Sequence, residues 1–192
     1  MRAPKAKMAS GPLSKIPSAA SKRLLKELPA PEAMSDLIGN LKQAGHRATA
    51  LLGAAYLEHA LELLLRSSLT EELSNEEDAR LFDGAQGGIL GTFSAKIRVA
   101  YAMRLLHRNA YRALLLMNDI RNVFAHSLHS VDFYSDLVIK DCQQLLTISD
   151  SLTQSAGVTA SDAAIDIYSN FARALYVSLH MSMEKIAREE PL

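Results

Sequence analysis

From Pro31 onward the apolar residues recur at three- and four-residue steps, and no stretch sustains the strict alternation of a half-buried strand. That period commits the chain to an all-α fold, because a stripe repeating every 3.6 residues lines up on one side only when the backbone is helical. The spacing predicts a short helix beginning near Glu32 and, after Gly45, a stronger one from about His46 to Ser68. Next come a helix from Phe93 to His107 capped by Thr92 or Ser94, and one from an N-cap at Asn109 to about Ser127. A helix capped by Ser130 runs to about Leu152 before Gly157, and a long C-terminal helix spans Ser161 to Arg188. The stretch from Thr70 to Gly91, with its acids, Asn75 and four glycines, reads as an irregular connection holding one short helical turn.

In the second helix Ala50, Gly53, Ala54, Leu57, Leu61 and Leu64 form the inward stripe opposite Glu58, Glu62 and Arg66, and the small residues permit a close neighbour. Phe93, Ile97, Tyr101 and Leu105 share a face of the next helix, which leaves Lys96, Arg98 and Arg104 as a solvated cationic side. Tyr134, Val138, Cys142, Leu145, Ile148 and Leu152 are expected to point inward. The last helix has Ile167, Phe171, Leu175, Leu179, Met183 and Ile186 in register, with Tyr168 and Tyr176 on a second side. Two apolar sides imply burial within the chain or dimerisation.

The charge is unevenly divided although the whole sums to zero. Residues 1 to 28 hold seven Lys or Arg against Glu27, hence +6, so the remainder holds 14 basic and 20 acidic residues, hence −6. Residues 1–30 therefore read as a basic, disordered arm and residues 31–192 as one helical domain. The acidic body argues against a broad surface for tracking DNA, since such affinity comes mainly from neutralised phosphates. A single cysteine, Cys142, excludes an internal disulfide and fits a reducing cytoplasm. No apolar run reaches the ~20 residues of a membrane helix, and the basic segment lacks the apolar core of a secretory signal.

The most informative string runs from Asn118 to His129. At 100° per residue Asn118, Asn122, His126 and His129 fall in one polar stripe, with Arg121 to its side. In a structural reading Arg121 pairs with Glu58 or Glu62, while Asn122 and His126 satisfy groups near the helix end. In a chemical reading Arg121 holds a phosphate, His126 moves a proton near neutral pH, and Asn122 orients the imidazole or the scissile group. RNA brings its own 2′-hydroxyl nucleophile, so no metal is needed. An ideal helix sets Arg121 and His126 about 140° apart, so a shared phosphate requires an irregular helix end or a second subunit. His126, His129 and Asp132 lack a further positioned ligand, and Gly84 to Gly88 lacks the lysine of a phosphate loop, so neither a metal nor a cofactor is expected.

The segment Arg121-Asn122-Val123-Phe124-Ala125-His126 resembles the arginine, polar residue, spacer, histidine pattern of HEPN-domain ribonucleases, helical bundles that pair two such helices across a dimer. A longer likeness joins Leu52-Gly53-Ala54-Ala55-Tyr56-Leu57 with Glu62-Leu63-Leu64, then Leu81-Phe82, then Leu90-Gly91-Thr92-Phe93-Ser94-Ala95-Lys96-Ile97-Arg98 with Ala100-Tyr101-Ala102, and finally Ile120 to His126. In order and spacing these blocks, within residues 46 to 130, resemble the mannitol operon repressor family. That resemblance implies a cytoplasmic, all-helical bacterial protein of transcriptional repression. No segment offers a helix-turn-helix, so repression is expected to work as a homodimer through a protein partner rather than by sequence-specific DNA reading. The alternative is a metal-independent endoribonuclease acting on RNA with Arg121, Asn122 and His126 as its catalytic residues.

Overall fold

The computed structural model describes residues 30–43, 45–69, 72–148 and 150–188. All regular structure among them is helical: α1 (Pro31–Gln43), α2 (His46–Arg66), α3 (Asn75–Phe82), α4 (Phe93–Ala102), α5 (Arg108–His126), α6 (Asp136–Leu146), α7 (Asp150–Ala156) and α8 (Ala164–Arg188), with a 3-10 turn at Gly84–Gln86. The expected basic arm lies outside the described residues.

The α2 and α8 helices form the centre. The first packs on α1, α4, α5 and α8, and the second on α1, α2, α5, α6 and α7. Leu57, Leu61 and Leu64 of α2 meet a core that includes Met117, Ile120 and Phe124 of α5 and Ile167, Tyr168, Phe171 and Leu175 of α8. Each such side chain contributes about 1.5–3 kcal/mol on burial. At Gly53 α8 packs close: a Cβ there would lie 3.1 Å from Tyr168 Cε1, and the Tyr168 hydroxyl donates to the Ala50 carbonyl at 2.7 Å. Both apolar sides of α8 are thus consumed inside one chain. By length and composition α2 could also cross a membrane, contrary to the sequence expectation, but here it is half buried as a core helix.

Three boundaries differ from those the spacing predicts. Helix α4 stops at Ala102, because the amides of Met103 and Leu105 close onto the carbonyls of Val99 and Ala100 while Arg104 adopts a left-handed φ of 62°. His107, not Asn109, then precedes α5. The single helix expected from Ser130 to Leu152 is two, with Ser135 before α6 and α7 separate. In the intervening turn Asp132 accepts from the Tyr134 amide and the Ser135 hydroxyl, and Phe133 points inward in place of Tyr134. The connection after α2 is more ordered than expected. A reciprocal Ser74–Glu77 capping box starts α3, and the glycines form a turn so tight that a Cβ on Gly91 would lie 2.4 Å from Gly84 Cα.

The largest correction concerns Lys96, which is 4% exposed rather than solvated. Its Nζ lies 2.9 Å from both Glu58 and Glu62. Glu62 also receives Arg66 at 2.9 Å, and Arg66 pairs with Asp78 of α3 while lying 3.9 Å over the Phe82 ring. Glu58 and Glu62 therefore serve Lys96 and Arg66, not Arg121. Burial pushes the Glu62 carboxyl up, but hydrogen bonds and charge from Lys96 and Arg66 outweigh it and hold the pKa below its ordinary value. Burial likewise pushes the Lys96 ammonium down, and its two carboxylates reverse this and raise it.

The network's contribution is complete between the ordinary pKa values of the two groups. It is lost as pH falls through the depressed Glu62 value, and again as pH rises through the raised Lys96 value. Lys96→Met should cost about 3 kcal/mol at pH 7, because it strands the half-buried Glu58 carboxylate and leaves Glu62 with Arg66 alone. In urea titrations that deficit should narrow below the ordinary carboxylate range, where both acids become neutral in the variant. A deficit independent of pH would show that the lysine's packing, not its charge, matters.

Candidate functional site

Helix α5 buries Met117, Ile120 and Phe124, and this orientation places Arg121 and Asn122 at the margin of the core. The Arg121 Nη1 donates to Asn122 Oδ1 at 3.0 Å. No carboxylate among the described residues comes within 4.0 Å of Arg121. Its charge still reaches inward: burial pushes the Tyr168 phenol far up, Cys142 adds to that, and the Arg121 guanidinium offsets part of it. Asn118, one turn earlier, is buried.

His126 is the last residue of α5 and is exposed, as is His129 in the turn beyond. The His129 amide donates to the Ser127 hydroxyl, which in turn donates to the His129 carbonyl. Among the described residues no hydrogen bond joins Arg121 or Asn122 to His126. One chain therefore assembles the guanidinium and the amide, and leaves both imidazoles free at the surface. His126, His129 and Asp132 form no metal cluster; among the described residues no group of three potential ligands does. Cys142 is buried and its thiol is pushed up to about 12, so it cannot supply a thiolate near neutral pH.

Two residues that the sequence reading passed over complete this end of the bundle. The start of α2 meets the end of α5, where Arg47 Nη2 donates to the Ser127 carbonyl at 3.4 Å. His46 Nδ1 accepts the Phe133 amide at 3.1 Å, and its ring packs 5.7 Å from Phe133 and 5.0 Å from Tyr134. Phe133 in turn packs on Phe124 and Tyr168, so His46 pins the turn after α5 to the core. The only local signal was a pair of basic residues directly after a glycine of positive φ. Around this turn the surface is apolar: Leu128 is 99% exposed, Tyr134 72% and Leu137 59%.

An imidazole that accepts at Nδ1 must carry no proton there, which makes His46 a structural acceptor. His46→Ala should cost about 1 kcal/mol, the usual worth of one such bond. It should speed amide exchange at Phe133 by severalfold while leaving amides in α8 unchanged. Equal exchange at Phe133 in the variant and the wild type would show that the turn is held without His46. Comparisons of the chain with protein-family models, with curated proteins and with solved structures return no match.

Proposed function

We propose that this chain is a regulatory protein of the mannitol operon repressor kind, cytoplasmic and homodimeric, which represses through a protein partner and does not read DNA itself. The exposed apolar turn carries this reading. Leu128, Tyr134 and Leu137 lie in solvent beside a polar rim of His126 and His129, the composition of a protein contact surface. The blocks that resemble the repressor family also lie against one another. Glu62 of the first and Lys96 of the third are ion-paired, and Arg66, bonded to Glu62, lies over the Phe82 ring of the second.

The wild type should sediment as a dimer at micromolar concentration, and Leu128→Glu with Leu137→Glu should sediment as a monomer of unchanged melting temperature. The same double variant should release a mannitol-promoter reporter that the wild type represses, and purified protein should not retard the duplex promoter. Retardation by the protein alone, or full repression by the double variant, would overturn the reading.

A second reading, a metal-independent endoribonuclease, is favoured by one observation: among the described residues Arg121 has no carboxylate partner, while His126 stands exposed five residues on. There the 2′-oxygen attacks phosphorus, the 5′-oxygen leaves, and His126 carries the proton while Arg121 balances the phosphate charge. RNA incubated with the protein in EDTA should yield cyclic phosphate ends. His126→Ala should lower the rate by a factor of about 100 or more. Absence of such products, or their persistence in His126→Ala, would dismiss the activity.

A further inference from the structure

We infer that the elbow between α4 and α5 is a binding surface for single-stranded nucleic acid, at the opposite end of α5 from His126. The two ends are about 27 Å apart at 1.5 Å per residue. Between Lys96 and Asp119 the sequence contains no acid, yet it holds Arg98, Arg104, His107, Arg108 and Arg112. All five are exposed. Among the described residues none of the four arginines has a carboxylate within 4.0 Å, and the Arg98 guanidinium donates only to the Ser94 hydroxyl. In a body whose charge is otherwise acidic, this concentration of unpaired guanidinium groups is local.

The elbow also holds a flat aromatic platform. Tyr101 of α4 and Tyr111 of α5 stack with ring centroids 4.2 Å apart and planes 17° from parallel, and Tyr101 remains 39% exposed. Arg98 precedes Tyr101 by three residues and Arg108 precedes Tyr111 by three, so each arginine shares its tyrosine's side of the helix. Arg104 lies in the turn between them at a left-handed φ that favours glycine. Arg108 sits in the first turn of α5, where the helix dipole disfavours a cation. Helix stability accounts for neither placement.

His107 extends the basic surface into a cavity of about 790 Å3 between α7 and α8, which Arg173, Lys185, Ser151 and Ser155 also line. The acids at the border are few. Glu184 of the cavity wall lies 3.6 Å from His180, and Asp119 shares a smaller cleft with Arg112. Guanidinium groups for phosphates, beside an open ring on which a base can stack, are the two requirements of single-strand binding. A duplex hides its base faces, and an acidic peptide makes no use of the stack. The inference goes beyond the function proposed above and does not rest on it.

The test is fluorescence anisotropy of the full chain with labelled 20-nucleotide oligouridylate, oligothymidylate and a 20-base-pair duplex, from 50 to 200 mM NaCl. Both single strands should bind more tightly than the duplex. With four phosphate contacts at a slope of about −0.7 each, affinity should fall about 50-fold over that range. Tyr101→Ala should weaken binding about tenfold and Tyr101→Phe should retain it, as stacking requires. Arg98→Gln with Arg108→Gln should halve the salt slope, and Lys5→Gln with Lys7→Gln should leave the dependence on Tyr101 intact. Melting curves of each variant within a few degrees of the wild type exclude unfolding as the cause. Elbow variants that bind like the wild type, a duplex bound as well as the single strands, or uptake by phosphatidylserine vesicles without oligonucleotide binding would each overturn the assignment.

Discussion

A buried ammonium cannot remain charged without compensation, and Lys96 sets much of the arrangement around it for that reason. Among the described residues the only carboxylates that reach it are Glu58 and Glu62, one helical turn apart on α2, and the second is shared with Arg66. Apolar contact alone would let α4 slide on α2, because hydrophobic attraction has no preferred direction. A pair of ionic hydrogen bonds to a buried amine holds it in register. Through Arg66 the same network draws in Asp78 and the Phe82 ring, so α3 is placed by the same charges. The position of α4 fixes the elbow, and the elbow fixes where α5 begins.

The helical fold was legible because nearly every buried position repeats with the helical period, most plainly in α8, where Ile167, Phe171 and Leu175 recur on one side and Tyr168 and Tyr176 on another. What the period does not encode is where a helix stops without a glycine. Arg104 closes α4 in a conformation its side chain disfavours, and nothing local announces it. Between Ser130 and Asp136 the inward aromatic is Phe133 rather than Tyr134, a shift of one residue that follows once Asp132 ties the turn. Lys96 could have been recognised. It falls between Phe93 and Ala100 on the face that also carries Ile97, and a charge inside an apolar stripe asks for partners such as the two glutamates spaced four apart on α2. The partners of Arg121, by contrast, depend on which acids are already engaged. The bond from Phe133 to His46 spans 87 residues and has no local signature at all.

Helix α5 itself decides what kind of recognition is open to this chain. It packs against α2, α4, α6 and α8, and its middle turns are committed to the core through Met117, Ile120 and Phe124. A helix that reads duplex DNA must lay several turns of one side into the major groove, and contact with four other helices leaves α5 little length for that, in keeping with the proposal that the chain does not read DNA itself. Its two ends emerge with opposite chemistry: guanidinium groups and stacked tyrosines at the start, imidazoles and an uncovered leucine at the finish. Because both ends belong to one packed helix, partners of the kinds proposed would meet preformed surfaces, without the entropy cost of ordering a flexible segment. On the readings proposed above recognition is end-on, with polyanions drawn to the elbow, where the sequence between Lys96 and Asp119 holds four arginines and no acid.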